Sequence, residues 1–435
     1  MLKRMRSFLV LVMLFIAVTM SAQVTTATMS GKVTAQDEPI IGATVVAVHE
    51  PSGTRYGTVT NVSGQFNLQG MRTGGPYKVE ISYVGYQTAI YKGINLLLGE
   101  NYVLNVSLKE SSELLDEVVV TASKESNMKS DRAGAIMNAN RDMINSTPTI
   151  SRSISDIMRL SPQGADVGNG FAVGGGNYRQ SFVTVDGAAF NNTFGLGGNL
   201  PANGSPISLD ALEQVTVAVT PFDVRQSGFT GGAINAVTRS GDNQFRGTAY
   251  MYFNNENLKG SKVDDYELLR SKAQYYTYGA SFGGPIIKDK LFFFVNGEYE
   301  DNVTAGSSYL PRTALGQSYS SGNVHRPLQS DMDAISNFLI NKYDFNPGKY
   351  NGYSTDTPAY RIMARVDWNA NQDNKVSFRF TRTHTKDSNF PTSSTNPLYS
   401  SDLYPGGKSN EVIDGKPVGD IAKGQGLSLI HISEP

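Results

Sequence analysis

Two segments in the second half of the chain, Gln274 to Ile287 and Leu291 to Tyr299, face each other across Lys288-Asp289-Lys290. A second pair, Tyr360 to Asn369 and Lys375 to His384, does the same across Ala370 to Asn374. Before them, Phe245 to Asn254 places Arg246, Thr248, Tyr250 and Tyr252 on one side and Phe245, Gly247, Ala249, Met251 and Phe253 on the other. Alternation of period two is the signature of strands. Strands of about 9 to 11 residues, with tight turns at one end and long polar connections at the other, suit a β-barrel that crosses a lipid bilayer. The connections would be Asp301 to Asp356 and Lys386 to Lys423, both dense in Ser, Asn, Gly, Tyr and Pro. Such a wall must close, because lipid cannot satisfy the backbone groups of an open sheet edge. The mean hydropathy of -0.28 is compatible with it, since lumen-facing residues dilute the lipid-facing ones.

The start of the chain supplies an address. Lys3, Arg4 and Arg6 precede the apolar run Phe8 to Val18 and a small-residue exit at Ser21-Ala22, the pattern of a secretory signal peptide spanning 1–22. The run is shorter than the ~20 residues a membrane-spanning helix needs. Its removal reduces the 38 basic residues to 35 against 39 acidic ones, so the exported chain has no general electrostatic attraction to nucleic acid. With no cysteine, the chain has neither disulfides nor thiolate metal sites, and an N-terminal lipid anchor on cysteine is excluded.

Between export signal and barrel strands the chain reads as two further units. Within 26–110, the strand-competent segments Gly31 to Val33, Thr44 to Val48, Gly57 to Thr60, Gln65 to Leu68, Tyr77 to Tyr83 and Asn101 to Leu108 alternate with turn formers such as Asp37-Glu38-Pro39 and Thr73-Gly74-Gly75-Pro76. That spacing predicts a small antiparallel β-sandwich. Within 124–243, Ile150, Ile154, Ile157, Met158 and Leu160 predict a helix stopped by Ser161-Pro162, and Leu209 to Gln214 a second one capped by Ser208. The strands Phe182 to Gly187 and Val215 to Val219 accompany them, so a compact α+β unit is expected.

The linker at 115–123 joins these two units and contains Asp116, Glu117, Val118, Val119, Val120, Thr121 and Ala122, a β-branched, strand-competent heptad. A strand in a linker has no sheet of its own, so its backbone groups are free to join another protein's sheet edge. The alternative, that Glu117 to Thr121 is the last strand of the sandwich, stays open at this point.

The sandwich strings Gly31-Lys32-Val33, Ile41 to Val45, Thr60 to Phe66 and Tyr83 to Tyr86 resemble the carboxypeptidase regulatory-like family, an accessory sandwich without a catalytic zinc centre. The order of signal, sandwich, heptad, α+β unit and barrel strands is similar to that of TonB-dependent outer-membrane receptors of the Bacteroidetes type. The second unit's Val183 to Gly187 and Leu209 to Val217 resemble that family's plug motifs, and Thr220 to Arg239 resembles the plug ending of its Oar-like branch, not the SusC pattern. The resemblance implies a mainly β protein in which 124–243 plugs a barrel whose first part is 244–426. It implies that Asp116 to Ala122 is the TonB box, captured by a TonB-type energy-transducing protein in the periplasm to drive uptake of an unidentified ligand. In the plug motif it singles out Asp186, Gly187, Arg225, Gly228, Gly231, Gly232, Asn235 and Arg239. A surface adhesin or secretion-assisting barrel is the alternative.

Enzyme chemistry is not expected. Gly279-Ala280-Ser281-Phe282-Gly283 fits a nucleophile-elbow string, but Gly284-Pro285 and more strand follow where the elbow needs a helix. His49, His325, His384 and His431 lie too far apart in sequence to suggest a zinc site, and Asp264-Asp265 and Asp331-Met332-Asp333 read as solvated loop carboxylates. No catalytic residue, metal or cofactor is therefore assigned. The segment after the α+β unit supplies about six to eight strands, where a barrel enclosing a plug needs about 22. Together with the break in pattern at 427–435, whose Leu-Ser-Leu-Ile-His-Ile-Ser-Glu-Pro string resembles sequencing-adapter read-through, this predicts a fragment with a non-native tail.

Overall fold

The computed structural model describes residues 25–110, 118–121, 136–149, 152–167, 170–191, 200–201, 204–219, 230–258, 260, 262–263, 266–267, 272–305, 310–315, 317, 324–350, 353–371, 374–386, 412–413 and 416–417. The signal-peptide segment, Asp116, Glu117, Ala122, Arg225, Gly228, Asp264, Asp265, His431 and the 427–435 tail lie outside them. The chain divides into two compact units, 1–249 with 279–298 and 360–384, and 250–278 with 299–359 and 385–435. The architecture is mainly β, and the strands of the second half form an open sheet.

In the first unit, nine strands build the sandwich: β1 (Ala27–Ala35), β2 (Glu38–Pro39), β3 (Thr44–His49), β4 (Thr54–Val59), β5 (Gln65–Met71), β6 (Gly74–Ser82), β7 (Ala89–Leu96), β8 (Asn101–Val103) and β9 (Val106–Ser107). One sheet runs β2-β1-β5, with β8 and β9 pairing parallel to β1. The other contains β7-β6-β3-β4. Alternate residues of both sheets, among them Met29, Val33, Val45, Phe66, Val79, Ile81 and Val106, interlock in one core.

Two sequence expectations need correction here. The segment 89–96 is a full strand that its residue pattern does not announce, because a bulge interrupts its alternation. Tyr77 and Val79 of β6 pair with Ile94 and Tyr91, so β7 carries one extra residue at Lys92-Gly93, and Gly93 takes φ +79°. The second correction concerns the linker. Val118–Thr121 is not a strand without a sheet; as β10 it pairs parallel with β7 and extends the second sheet to β10-β7-β6-β3-β4.

The α+β unit holds a mixed sheet ordered β11 (Ile136–Asn140), β16 (Leu212–Ala218), β17 (Ala233–Thr238), β14 (Phe182–Val185), β15 (Ala188–Ala189). Only the β14 to β17 pairing is parallel. Helices α1 (Arg141–Ser146) and α2 (Ile154–Met158) and the hairpin β12 (Gly164–Asp166) with β13 (Phe171–Val173) complete it. The predicted helix around Ile154 is short, because Arg152 takes a left-handed φ of 49° just before it and Ser161-Pro162 follows. At Leu209–Ala211 the expected helix is a single 3-10 turn, although Ser208 caps it as predicted. Leu212 onward is drawn into β16, which is paired on both sides.

The wall strands β18 (Arg246–Asn255), β21 (Gln274–Ile287), β22 (Leu291–Ala305), β26 (Ala359–Asn369) and β27 (Lys375–Thr385) are hydrogen-bonded in that order. In the first unit their alternation is sharp. Phe292, Phe294, Asn296 and Glu298 of β22 and Arg361, Met363 and Arg365 of β26 are buried, while Val295, Ile362, Trp368, Phe378 and Phe380 are exposed. Phe294 and Met363 join the hydrophobic core of the α+β unit. This is a wall with a packed inner face and an apolar outer one.

The second unit holds the hairpin β19 (Lys262–Val263) with β20 (Tyr266–Glu267), the parallel pair β23 (Leu310–Arg312) and β24 (Val324–Leu328), and β25 (Ser354–Asp356) against β22. The pair β28 (Val412–Ile413) and β29 (Lys416–Pro417) also falls within it. It further contains a 15-residue helix, α3 (Gln329–Tyr343), inside a stretch the sequence reads as polar connection. Among the described residues, no helix is long and apolar enough to cross a membrane, which says nothing about strands.

The sandwich contains a buried histidine with a clear energetic consequence. His49 Nδ1 lies 2.7 Å from Ser52 Oγ, and burial together with the Arg72 charge pushes its pKa down from 6.5 to about 3. The unfolded chain therefore takes up this proton near pH 6.5 and the folded one only near pH 3. Stability is complete above pH 6.5 and falls, by at most about 1.4 kcal/mol per pH unit, as the pH drops toward 3. In thermal unfolding monitored from pH 7 to pH 4, the chain should lose this increment and His49→Gln should show a flatter profile.

Candidate functional site

Two places carry the residues singled out by sequence: the edge of β7 with β10, and the seam between the α+β unit and the wall. At the first, the register is Val118 with Ala89, Val119 with Ile90, Val120 with Tyr91 and Thr121 with Lys92. The preceding chain touches the same edge, where Tyr86 bridges Glu110 and the Gln87 amide donates to the Lys109 carbonyl at 2.8 Å. Four of the seven heptad residues are thus shown in an added strand.

At the seam, the two-residue turn Asp186-Gly187 joins β14 to β15. Both residues have positive φ, 50° and 85°, as hairpin turns of this length require, and glycine meets that requirement without a side-chain clash. The turn presents the Asp186 carboxylate to the end of β17, where it accepts from the Thr238 amide at 3.0 Å and from the Thr238 hydroxyl. Arg379 of β27 reaches the same carboxylate at 3.5 Å. Asn235 secures the neighbouring pairing, its Oδ1 accepting from Thr184 Oγ1 at 2.7 Å. Gly232 is a matter of space, since a Cβ there would meet Val173 Cγ1 at 2.5 Å. Gly231 donates its amide to the Gln180 carbonyl at 3.1 Å.

Arg239 occupies the centre of the seam. Its guanidinium lies 3.6 Å from Asp210 and 4.7 Å from the ring centroid of Phe294 on β22. Asp210 also takes Arg141 at 3.4 Å and the Thr248 hydroxyl at 2.7 Å. Burial by itself would raise the Asp210 carboxyl, but bonds from Ser281 and Thr248 and the charges of Arg239 and Arg141 hold it below the usual carboxylate range. Burial lowers the Arg239 pKa, and Arg141 adds to this, against the pull of Asp210.

Sequence reasoning missed the wall's half of the seam. Arg361 of β26 meets Glu298 of β22 at 3.0 Å with both side chains almost fully buried, and the Ser208 hydroxyl donates to the other Glu298 oxygen at 2.9 Å. Arg361 also donates to the Ser205 carbonyl. Arg365 binds Asp367 at 2.8 Å and the Thr238 carbonyl at 2.6 Å, and Ser240 donates to Asp367. The available signal was parity: Arg361, Arg365 and Asp367 fall on the face of β26 opposite to Ile362 and Trp368. A cavity of about 460 Å³ opens beside these groups, lined by Arg72, Arg141, Arg239, Arg365, Asp367 and Arg379 among others.

Ser281 sits within β21, its hydroxyl 2.6 Å from Thr248 Oγ1 and 3.4 Å from Arg239, and the strand continues to Ile287. A nucleophile elbow has no place in that geometry. Among the described residues, no group of three or more His, Asp or Glu side chains is arranged to hold a metal ion.

An amphipathic strand meander packed on a polar α+β unit defines the class, an outer-membrane β-barrel protein, and residues 237–413 match the outer membrane beta barrel domain family. Residues 28–109 match the carboxypeptidase regulatory-like domain. The chain is 27% identical over 259 residues to the TonB-dependent transporter Oar of Myxococcus xanthus, covering 57% of this chain and 22% of that protein. It is 26% identical over 341 residues to the TonB-dependent receptor SusC of Bacteroides thetaiotaomicron, covering 71% of this chain and 32% of SusC. A siderophore receptor structure, PirA of Acinetobacter baumannii, overlaps 58% of this chain and 31% of its own at 17% identity with a TM-score of 0.39. The chain spans less than a third of these relatives' length, and over that part it is similar to TonB-dependent receptors, with a matched outer-membrane barrel domain.

The buried pair tests the seam. Removing one partner strands a desolvated charge, so Arg361→Ala should cost about 3 to 5 kcal/mol in denaturant unfolding. The double replacement Arg361→Met with Glu298→Leu should cost clearly less.

Proposed function

We propose that this chain serves active uptake of an unidentified ligand across the outer membrane, with Asp116 to Ala122 as the segment captured by a TonB-type protein in the periplasm. In this reading residues 1–22 direct export, 26–110 form an accessory sandwich, 124–243 plug the lumen and 244–426 contribute wall. The observation that carries it is that Val118–Thr121 forms an added strand on a sheet edge. Capture by another protein's sheet requires this same capacity, with backbone groups supplying affinity. The polar seam supports the plug role, because hydrogen-bonded and ionic contacts against a wall can be exchanged for water when a plug shifts, whereas a continuous apolar interface could not be. The transporter and receptor names of the relatives lend the same direction, and neither prescribes a ligand. A polysaccharide is not assumed.

Deleting Asp116 to Ala122 in the full gene should abolish energised uptake while membrane assembly, followed by heat-modifiable mobility, stays normal. Unchanged uptake would sink the docking role of the heptad.

A further inference from the structure

We infer that the sandwich restrains the docking heptad, holding Val118–Thr121 on the edge of β7 so that a periplasmic partner must compete with β7 for the same backbone groups. The inference rests on the docking role proposed for Asp116 to Ala122.

Three features support it. The linker does not merely pass the sandwich. It bridges Tyr86 at Glu110, and after seven residues it is back on the same edge, three positions further along at Ala89. The first contact is antiparallel to the edge and the second parallel to it.

The second feature is the length of the pairing. It covers four residues and stops at Lys92, where the extra residue of the Lys92-Gly93 bulge begins. Bulges end ladders by misaligning successive donors and acceptors. A four-residue parallel ladder is a weak one, since parallel pairing is slightly less stable per residue than antiparallel. A partner that pairs with all seven heptad residues offers more bonds than β7 can, so the restraint is displaceable.

The third is that β7 does not need β10. Tyr91, Ile90 and Ala89 are already paired with Val79, Glu80 and Ile81 of β6 on the other side, and Ala89 lies in the sandwich core with Tyr91 packed against it. The edge therefore survives the departure of β10. Its exposed donors and acceptors would return to water and be available to take the strand back. Together these features make a latch with two states, heptad on β7 or heptad on the partner.

The chain has no cysteine, so a designed disulfide gives a clean test. Lys92 is exposed and pairs directly with Thr121, at a spacing a disulfide can bridge. In the full chain carrying Lys92→Cys and Thr121→Cys, mild oxidation should close the bond readily. The off-register pair Lys92→Cys with Val119→Cys should close it several-fold more slowly. With the C-terminal domain of a TonB protein as probe, the oxidised in-register variant should bind at least tenfold more weakly than the same protein after reduction. Equal crosslinking of the two pairs, or equal binding before and after reduction, overturns the inference while leaving the docking role intact. Loss of the docking role itself would appear separately, as probe binding that survives deletion of Asp116 to Ala122. Hydrogen exchange on the unsubstituted chain provides a measurement that no folding defect of a variant affects. The amides of 118–121 should exchange at least tenfold more slowly than in a free peptide of the same sequence, and exchange at the peptide's rate would overturn the inference.

Discussion

Backbone groups along a strand need partners, in a neighbouring strand or in water, and that constraint organises much of this chain. The wall strands satisfy one another in sequence order, β18 to β27. In the sandwich, β1 is paired along both sides, by β5 on one and by β8 and β9 on the other. The edge of β7 is the exception that the linker covers, with Glu110 at Tyr86 and Val118–Thr121 beyond it. A segment chosen for its readiness to add to sheets has added to the nearest one.

The second organising feature is charge buried in pairs. Arg361 with Glu298, Arg365 with Asp367 and Arg239 with Asp210 all lie between the α+β unit and the inner face of the wall. Such pairs are costly to desolvate and contribute less net stability than apolar packing of the same volume. Their value is directional. The two wall pairs hold Arg361 and Arg365 where they donate to the Ser205 and Thr238 carbonyls of the α+β unit, while Phe294 and Met363 supply the apolar contact.

Much of this was legible in the sequence where the physics is local. The hairpins of Gln274 to Ile287 with Leu291 to Tyr299 and of Tyr360 to Asn369 with Lys375 to His384 follow from alternation and turn length alone, although β22 runs on to Ala305 into the expected loop. Asp186-Gly187 was visible as a motif, and its turn geometry explains why those two residue types stand together. What escaped was non-local. The strand β7 was hidden by its bulge, and the helix expected at Leu209 to Gln214 yielded to pairing with β11 and β17. The seam could not be read because its partners lie far apart in sequence, 90 residues between Ser208 and Glu298 and 156 between Ser205 and Arg361. The heptad was recognised as a strand in search of a sheet, but the sheet it found depends on the unrecognised β7.

One further feature changes how the linker should be pictured. The sandwich and the α+β unit are joined away from it, where Asn138 donates to Glu100, the Leu98 amide donates to Gln214 Oε1 at 3.2 Å, and Leu98 packs on Val237. The stretch from Glu110 to Ile136 therefore leaves one body and enters another to which the first is already fastened. Tension applied at the heptad is shared between two anchor points, and which body moves first is set by the weaker of the fastenings around it.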